Sequence, residues 1–432
     1  MTAREFLDGF RQDDRLVTGA YYSEDPVPVE PGDTVGVVLM NLGGPTCAED
    51  VEPFLYNLFM DPAVFEVPLP KPVRDWACRY LARKRSAVVG KGYEQIGGCS
   101  PLNRHTAEQA RALEARLNDR FGPVTGARFR TYAAMRYWRP SSEEAAGQMA
   151  SDGVSKVVLL PLYPQFSKTT TGSSLVYWKA LEEKGEIPVW PTSFVYEYAA
   201  HPKLVQALSE RIDEGLQRFP ATVRDRVHLV FVAHGTPRRE LTKRRDPYCC
   251  LVHSTVQQVM SHREAHDAGR AFHVAFQSKV GPAKGLTPST PDKLEQLADD
   301  GHTAVLVVPV AFVSDHVETA YALDIEVREE ALRNGIEHYE VTSGLNCHPL
   351  LIEALAECVA AQVSPVSVSR GDGADALPAA LPALPRYKVG RRTVRCHQCP
   401  FVTEAHDWSG EPAVHVPAPL ASPAPAPSSR AA

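Results

Sequence analysis

Residues 304–326 read AVLVVPVAFVSDHVETAYALDIE. The apolar run Ala304–Val313 has strand character and ends abruptly in Ser314-Asp315-His316-Val317-Glu318. A helical segment follows, with acids at Glu318 and Glu326. In an open α/β sheet, ligands bind beyond the carboxyl ends of the strands. An imidazole and two carboxylates delivered there can hold a borderline metal ion, accept protons, or do both. The same residues also suit a solvated helix start, where acids favour the positive end of the dipole. The stretch alone leaves both open.

Outward from this stretch the chain alternates strands and helices. VGVVLM (35–40) reads as a strand, and Ala107–Phe121 as a helix with Ala107, Ala110, Leu113 and Leu117 on one face. Further strands are expected at Arg128–Ala134, Val157–Leu162 and Val189–Trp190. A second series runs through helix Pro202–Phe219, strand His228–Ala233, helix Cys250–Met260, strand Phe272–Phe276 and helix Pro291–Asp299. After the opening strand come helices Glu318–Asn334 and Pro349–Val363. Regular β-α alternation implies parallel sheets covered by helices. The expected fold class is therefore α/β, with two Rossmann-like lobes, each a parallel sheet flanked by helices, and a cleft between them.

The expected divisions are a polar extension over 1–33, a first lobe over 34–195, a second over 196–365, and a tail over 366–432. The tail is rich in Pro and Ala, and such segments bury too little apolar surface to offset ordering entropy. It surrounds an island, 386–408, that holds Cys396-His397-Gln398-Cys399.

Bulk properties narrow the function. With 432 residues, 44% hydrophobic and 23% charged, the chain has the composition of an ordinary globular protein of more than one domain. A formal net charge of −6 argues against a nucleic-acid partner, which needs a concentrated basic face. The cluster Arg83-Lys84-Arg85 suits small anionic groups such as carboxylates, or a solvated loop. The amino-terminal residues lack the apolar core of a secretory signal, and no apolar run approaches the ~20 residues needed to span a bilayer. Nine cysteines without such a signal suggest a reducing compartment. A cytoplasmic protein is expected, with peripheral contact at the inner face of the membrane left open. It is expected as a monomer or a homodimer.

A second histidine ends a strand in LVFVAHGTP (229–237), where His234 precedes Gly235-Thr236. Two strand-end histidines in one lobe can converge on one cleft. In the first lobe, MNLGGP (40–45) places a Gly-Gly-Pro turn after the first strand, without the spacing of a dinucleotide loop. IGGCSPL (96–102), MRYWRP (135–140) and LPLYPQFSKTTTGSS (160–174) are further strand-end or loop sequences. With their flanks they bring Tyr93, Tyr137, Trp138, Tyr163, Phe166 and the hydroxyls of 169–174. Aromatic groups with a few polar anchors describe a pocket for a flat, largely apolar ligand.

These motifs, with YEQIGGCSPLN, DPY, FQSKVGP and FVSDHVETAYALDIE, resemble the ordered motifs of the ferrochelatases over 35–363. The resemblance implies a chelatase-like fold and insertion of ferrous iron, as substrate, into protoporphyrin IX. It places His234 and Glu318 against the macrocycle as catalytic and metal-binding groups, with His316 assisting. Asp315 and Glu326 would continue a path for metal or protons. Leu42, Tyr93, Ser100, Arg136, Tyr137 and Tyr163 would line or anchor the porphyrin. His234 is favoured as the base, since a neutral imidazole accepts a proton near neutral pH.

The sequence departs from the family's pattern at Ala322, where a middle carboxylate is usual, at Gly285 in place of tryptophan, and at Arg245 and Cys99 in place of glycine. Cys396-x-x-Cys399 is a half-site for zinc or an iron–sulfur cluster; the resemblance implies a [2Fe-2S] cluster, with Cys249 and Cys250 as the candidates for the remaining ligands. Lys168 stands where the animal pattern has another ligand. Zinc with His397 or His253, and free thiols, are the other outcomes. Three alternatives to the main function remain: a chelatase acting on coproporphyrin, one acting on sirohydrochlorin, and a non-catalytic heme or iron–sulfur sensor on the same fold.

Overall fold

Four strands are apolar at nearly every position rather than alternately, which is how strands buried on both faces read. They are β2 (Thr34–Asn41), β4 (Lys156–Pro161), β6 (His228–His234) and β8 (Ala304–Pro309), each buried along almost its whole length. A computed structural model of the chain describes residues 26–65, 69–240, 246–277 and 285–365. With β3 (Arg128–Met135) and β5 (Thr192–Phe194), β2 and β4 form a four-stranded parallel sheet of order β3-β2-β4-β5. With β7 (Phe272–Gln277) and β9 (His338–Val341), β6 and β8 form a second parallel sheet of order β7-β6-β8-β9.

The two orders are the same pattern used twice. In each sheet the first strand is flanked by the next two, so the order reverses at β2 and at β6. The carboxyl end of such a strand opens a crevice between the diverging connections. Leu42 follows β2, and His234 closes β6.

Helices Leu102–Arg120, Pro202–Gln217, Tyr248–Arg263 and Pro349–Ala360 bury their apolar faces in one core. That core joins Val35, Val37 and Leu39 of β2 to Leu229 and Phe231 of β6. Polar clasps cross between the lobes as well. Gln109 donates to Ser314 Oγ (2.9 Å) and to the Asn346 carbonyl (2.7 Å). Gln165 donates to Thr255 Oγ1 (3.0 Å) and to the Val310 carbonyl (3.1 Å). Lys168 Nζ meets Glu240 at 3.0 Å, with both side chains almost wholly buried.

Several elements differ from the sequence expectations. Residues 26–33 fall inside the expected extension, yet β1 (Val27–Val29) pairs in parallel with β10 (Val363–Pro365) and buries both valines. Three residues are too short a run to show a pattern. The strand expected at Val189–Trp190 lies at β5 instead, and Val189 is 74% exposed. Helices Val51–Met60 and Lys71–Gln95 form where no helix was expected. The second carries only four buried residues, Cys78, Ala82, Gly92 and Tyr93, too few to trace a helical stripe. β8 ends at Pro309, because residues 310–317 turn across the strand ends rather than extend it. The segment after it is helical, but Glu318–Val327 winds with the wider i→i+5 bonding before Arg328–Arg333 becomes an α-helix. Such windings concentrate at functional sites. Residues 1–25 and the tail 366–432, with the island 386–408, lie outside the described residues. Among the described residues no helix is long and apolar enough to cross a membrane.

Candidate active site

The second lobe supplies the titratable half of the site. His234 pairs with Gln277 across the ends of β6 and β7, and the Gly235 N–H donates to the Gln277 carbonyl at 2.6 Å. Gln277 Nε2 donates in turn to the Glu318 carbonyl (3.1 Å), which fixes the first turn of the wide helix beside the strand end. His234 Nδ1 and Glu318 Oε2 are therefore 3.2 Å apart. His316 Nε2 stands 3.7 Å from the same oxygen. The Phe312 ring packs on His316 (centroids 4.3 Å apart) and meets His234 edge-on at 6.4 Å. About a third of the His234 side chain and 29% of the Glu318 side chain stay open to the cleft.

Electrostatics bind this pair. Burial alone would raise the Glu318 carboxyl, but the charge and hydrogen bond of His234, with His316 behind it, hold it well below the carboxylate range. Burial also opposes the His234 imidazolium, and the Glu318 charge and hydrogen bond overcome it and raise the imidazole above its ordinary value. Tyr248 lies against the His234 backbone; burial, then the Glu318 charge, keep its phenol protonated.

The other two acids of this segment are placed differently. Asp315 accepts from Asn346 Nδ2 (2.8 Å), Gly344 N (3.1 Å) and Thr319 Oγ1 (3.2 Å). Its carboxylate thus fixes the turn at Asn346, the one described non-glycine residue with positive φ (47°). Glu326 is exposed near the far end of the wide helix. The structure brings His234, His316 and Glu318 together and leaves Asp315 and Glu326 outside that group.

The first lobe supplies the apolar half. Gly43 (φ 82°) and Gly44 turn the chain after β2, and a Cβ at Gly44 would collide with Ser100. The two glycines thereby let Ser100 approach the strand end. Ser100 lies beside the Tyr93 hydroxyl, and burial, then Glu318, raise that phenol. Tyr93 and Tyr137 belong to one apolar cluster, against which Leu42, Trp138 and, from the second lobe, Val317 pack. The wall and the titratable pair thus meet through Val317, the neighbour of Glu318 in the chain. Helix Lys71–Gln95 reaches the wide helix at Gly92, where an added Cβ would lie 2.8 Å from the Tyr321 ring. Tyr163 stands just past the end of β4, beside Ser174. Arg136 is buried and engaged within the first lobe: its Nη2 donates to Asp61 at 2.8 Å, and its guanidinium stacks 4.2 Å over the Tyr177 ring.

A family model described as Ferrochelatase matches residues 34–363. The ferrochelatase of Geotalea daltonii is 39% identical over 323 residues, which is 75% of this chain and 96% of that relative. That of Geotalea uraniireducens is 40% identical over 329 residues, 76% of this chain and 98% of the relative. The chain belongs to the ferrochelatase family. Among solved structures, SirB from Bacillus subtilis with Fe3+ is similar at 11% identity over 76% of this chain and 94% of that one, with a TM-score of 0.44. That likeness is too low to carry an argument here.

As a ferrochelatase-family enzyme, the chain departs from its relatives' pattern at places the structure explains in part. Ala322 is half-buried in the wide helix between Glu318 and Glu326. Gly285 pairs with Pro237 in an isolated bridge, and among the described residues the only atom near an added Cβ there would be the Thr236 carbonyl at 3.9 Å. Cys99 is exposed. Arg245 lies outside the described residues, as do Cys396, His397 and Cys399.

Cys249 and Cys250 are both buried at the head of helix Tyr248–Arg263. Consecutive helical residues point about 100° apart, so the two thiols diverge rather than converge on one cluster. Cys249 packs into the apolar core. Lys168 is paired with Glu240. Among the described residues, no group of three or more His, Cys, Asp or Glu is arranged to hold a metal ion. Sequence reasoning missed Asp61, Gln277 and Tyr248 as parts of the site. The DPY match to the family's motifs pointed towards Tyr248, and nothing in the pattern around Asp61 or Gln277 marked either.

Proposed function

We propose that this enzyme inserts ferrous iron into protoporphyrin IX to form protoheme. The observation that carries the proposal is the His234–Glu318 pair, 3.2 Å apart, set against the apolar wall of Leu42, Tyr93 and Tyr137. Metallation exchanges two pyrrole protons for Fe2+. With Nδ1–H donated to Glu318, the His234 Nε2 is the basic nitrogen and takes the two pyrrole protons in turn, each leaving to solvent through the open face of the cleft before the next is taken. Glu318 stays ionised and stabilises the imidazolium that forms, and His316 steadies the carboxylate. Imidazole and carboxylate also suit Fe2+ as it sheds water. Leu42, Tyr93, Tyr137 and Tyr163 hold the flat ring, with Ser100 as a polar anchor. Arg136 supports this wall from behind, and Asp315 fixes the loop at Asn346 beside the first turn of the wide helix. Glu326 lies at the surface end of the metal or proton path.

The experiment is anaerobic incubation of the purified chain with Fe2+ and, in parallel, protoporphyrin IX, coproporphyrin and sirohydrochlorin. Protoheme should form fastest. Faster metallation of either competitor would reassign the substrate, and no metallation of any would favour a sensor.

The [2Fe-2S] cluster is not part of this mechanism. Its four expected ligands would include Cys249 and Cys250, whose thiols diverge from consecutive positions of one helix. Iron and sulfide analysis of the purified protein tests that position.

Peripheral membrane contact is proposed for helix Lys71–Gln95, in keeping with a cytoplasmic enzyme at the inner face. Trp76 and Tyr80 are 67% and 60% exposed, and their rings stack 5.9 Å apart. The exposed Arg83, Lys84 and Arg85 lie one turn further on. Aromatic and basic residues on one helix suit an anionic bilayer surface. The chain should sediment with phosphatidylserine vesicles and not with phosphatidylcholine alone, and Trp76→Ser should weaken the association. Equal sedimentation of both proteins would contradict it.

A further inference from the structure

Asp61 is among the least exposed charged groups of the first lobe, at 1% of its side-chain surface, and the mechanism above gives it no role. Its place follows from local sequence. The helix Val51–Met60 stops because Asp61 precedes Pro62, and a residue before proline is pushed out of the α region. Asp61 is accordingly extended (φ −78°, ψ 115°). Its Oδ1 accepts from the Ala63 N–H at 2.7 Å, and its carbonyl accepts from Val64 and Phe65, so the turn fixes the carboxylate's direction.

The other oxygen, Oδ2, gathers three donors from two further elements: Arg136 Nη2 (2.8 Å), Tyr137 OH (2.7 Å) and Ser173 Oγ (2.5 Å). Arg136 Nε also donates to Ser173 Oγ at 2.9 Å. Arg136 and Tyr137 follow β3, and their backbone N–H groups donate to the carbonyls of Asn41, which ends β2, and of Leu42 just after it. Ser173 opens helix Ser173–Glu183 after β4. One carboxylate oxygen therefore ties together the chain ends that follow β3 and β4, and through Arg136 and Tyr137 it bears on the segment after β2. Those ends carry Leu42, Tyr137 and Tyr163.

We propose that Asp61 is a positioning residue for the porphyrin: it fixes the Tyr137 ring and the Leu42 wall, and it holds Arg136 as its counter-ion rather than as a contact to the macrocycle. The proposal rests on the porphyrin reading of the cleft. A fixed phenol, hydrogen-bonded at its hydroxyl and stacked near the Arg136 guanidinium (4.9 Å), gives a flat ligand a wall with one orientation. Without the carboxylate, three buried donors lose their shared acceptor, and Tyr137 and Arg136 are free to re-orient. Asp61 also begins the turn leading toward helix Lys71–Gln95, and Arg74 of that helix donates to the Phe65 carbonyl at 2.8 Å. The same residue thus links the pocket wall to the helix at its rim.

The test measures porphyrin titration and steady-state kinetics on full-length wild type, Asp61→Asn and the double variant Asp61→Leu/Arg136→Leu. Replacing both partners leaves no lone buried charge, so the double variant keeps a folded comparison available if Asp61→Asn does not fold. The expected result is a KM for protoporphyrin raised about tenfold or more, with the KM for Fe2+ unchanged, as for a displaced wall. The Soret maximum of the bound porphyrin should also move towards that of the free ligand. A folded variant with wild-type porphyrin KM and Soret maximum, and only a lower melting temperature, would make Asp61 purely structural and overturn the proposal. Wild-type protein that binds no porphyrin would overturn the function proposed above together with this role.

Discussion

His234 and Glu318 share a single close contact, and their pKa shifts have opposite signs. The His234 value is raised, so its contribution to stability is complete below the ordinary imidazole range and is lost as pH rises through the folded-state value. The Glu318 value is depressed, so its contribution is present above the ordinary carboxylate range and is lost as pH falls through the folded-state value. The pair is at its firmest between those ranges, in mildly acidic solution. Catalysis runs the other way for His234, because the base must be neutral. The rate of metallation should therefore rise with pH, with a midpoint above about 6.5. Glu318→Gln removes the charge that raises the imidazole and should move that midpoint to lower pH. A pH–kcat/KM profile of both proteins checks this, and an unmoved midpoint would remove Glu318 as the partner of the base. Both residues were legible in the sequence because His234 directly follows one long apolar run and Glu318 closes the short polar segment that ends another. Asp61 was not, since a lone Asp-Pro step between two weakly patterned helices carries no periodic signal, and its three donors come from residues far away in the chain.

At the scale of elements, the carboxyl ends of the second sheet hold the chemistry and the amino ends hold three histidines. His228 Nδ1 and His273 Nε2 are 3.1 Å apart, with coplanar rings, and His302 packs on His228 at 4.0 Å. Burial first, then Lys293 and the two neighbouring imidazoles, push His273 down to about 4, against a weaker pull from Asp300. A histidine depressed in the folded state binds its proton more readily when unfolded. Its contribution to stability is full above about 6.5 and is lost as pH falls towards 4. The urea midpoint should fall between pH 7 and pH 5, and His273→Gln should flatten that slope. A slope unchanged by the substitution would place the acid sensitivity elsewhere. The strands of this sheet could be read in advance because burial on both faces makes them continuously apolar. The wide winding of Glu318–Val327 could not, because i→i+4 and i→i+5 bonding leave similar apolar patterns over ten residues. Helix Lys71–Gln95 escaped notice for the opposite reason: it lies on the rim with few buried positions.

Across the whole molecule, two lobes built to one strand order are held as a unit by a shared core and by buried polar clasps. The Lys168–Glu240 pair is the clasp whose loss should be most evident. Lys168→Met deprives a buried carboxylate of its ammonium partner and should cost about 3 kcal/mol, the lower end for a broken buried pair. Arg239 still reaches Glu240 at 3.4 Å, which moderates the loss. Replacing both residues with methionine should recover most of it, and denaturant melts of the single and double variants measure the difference. Recovery no better than the single variant would mean that Glu240 answers mainly to other groups. The two-lobed α/β fold followed from alternation alone. The clasps did not, because Gln109, Gln165 and Lys168 acquire meaning only when the lobes face each other.

The central claim is that His234, held by Glu318 at the mouth of β6, takes the pyrrole proton during metallation. Anaerobic conversion of protoporphyrin IX and Fe2+ to protoheme by wild type and His234→Ala tests it most directly. The wild type should yield protoheme, and His234→Ala, still folded and still binding porphyrin, should be slower by about 10²- to 10⁴-fold. Undiminished turnover in His234→Ala, or none in the wild type, would contradict it.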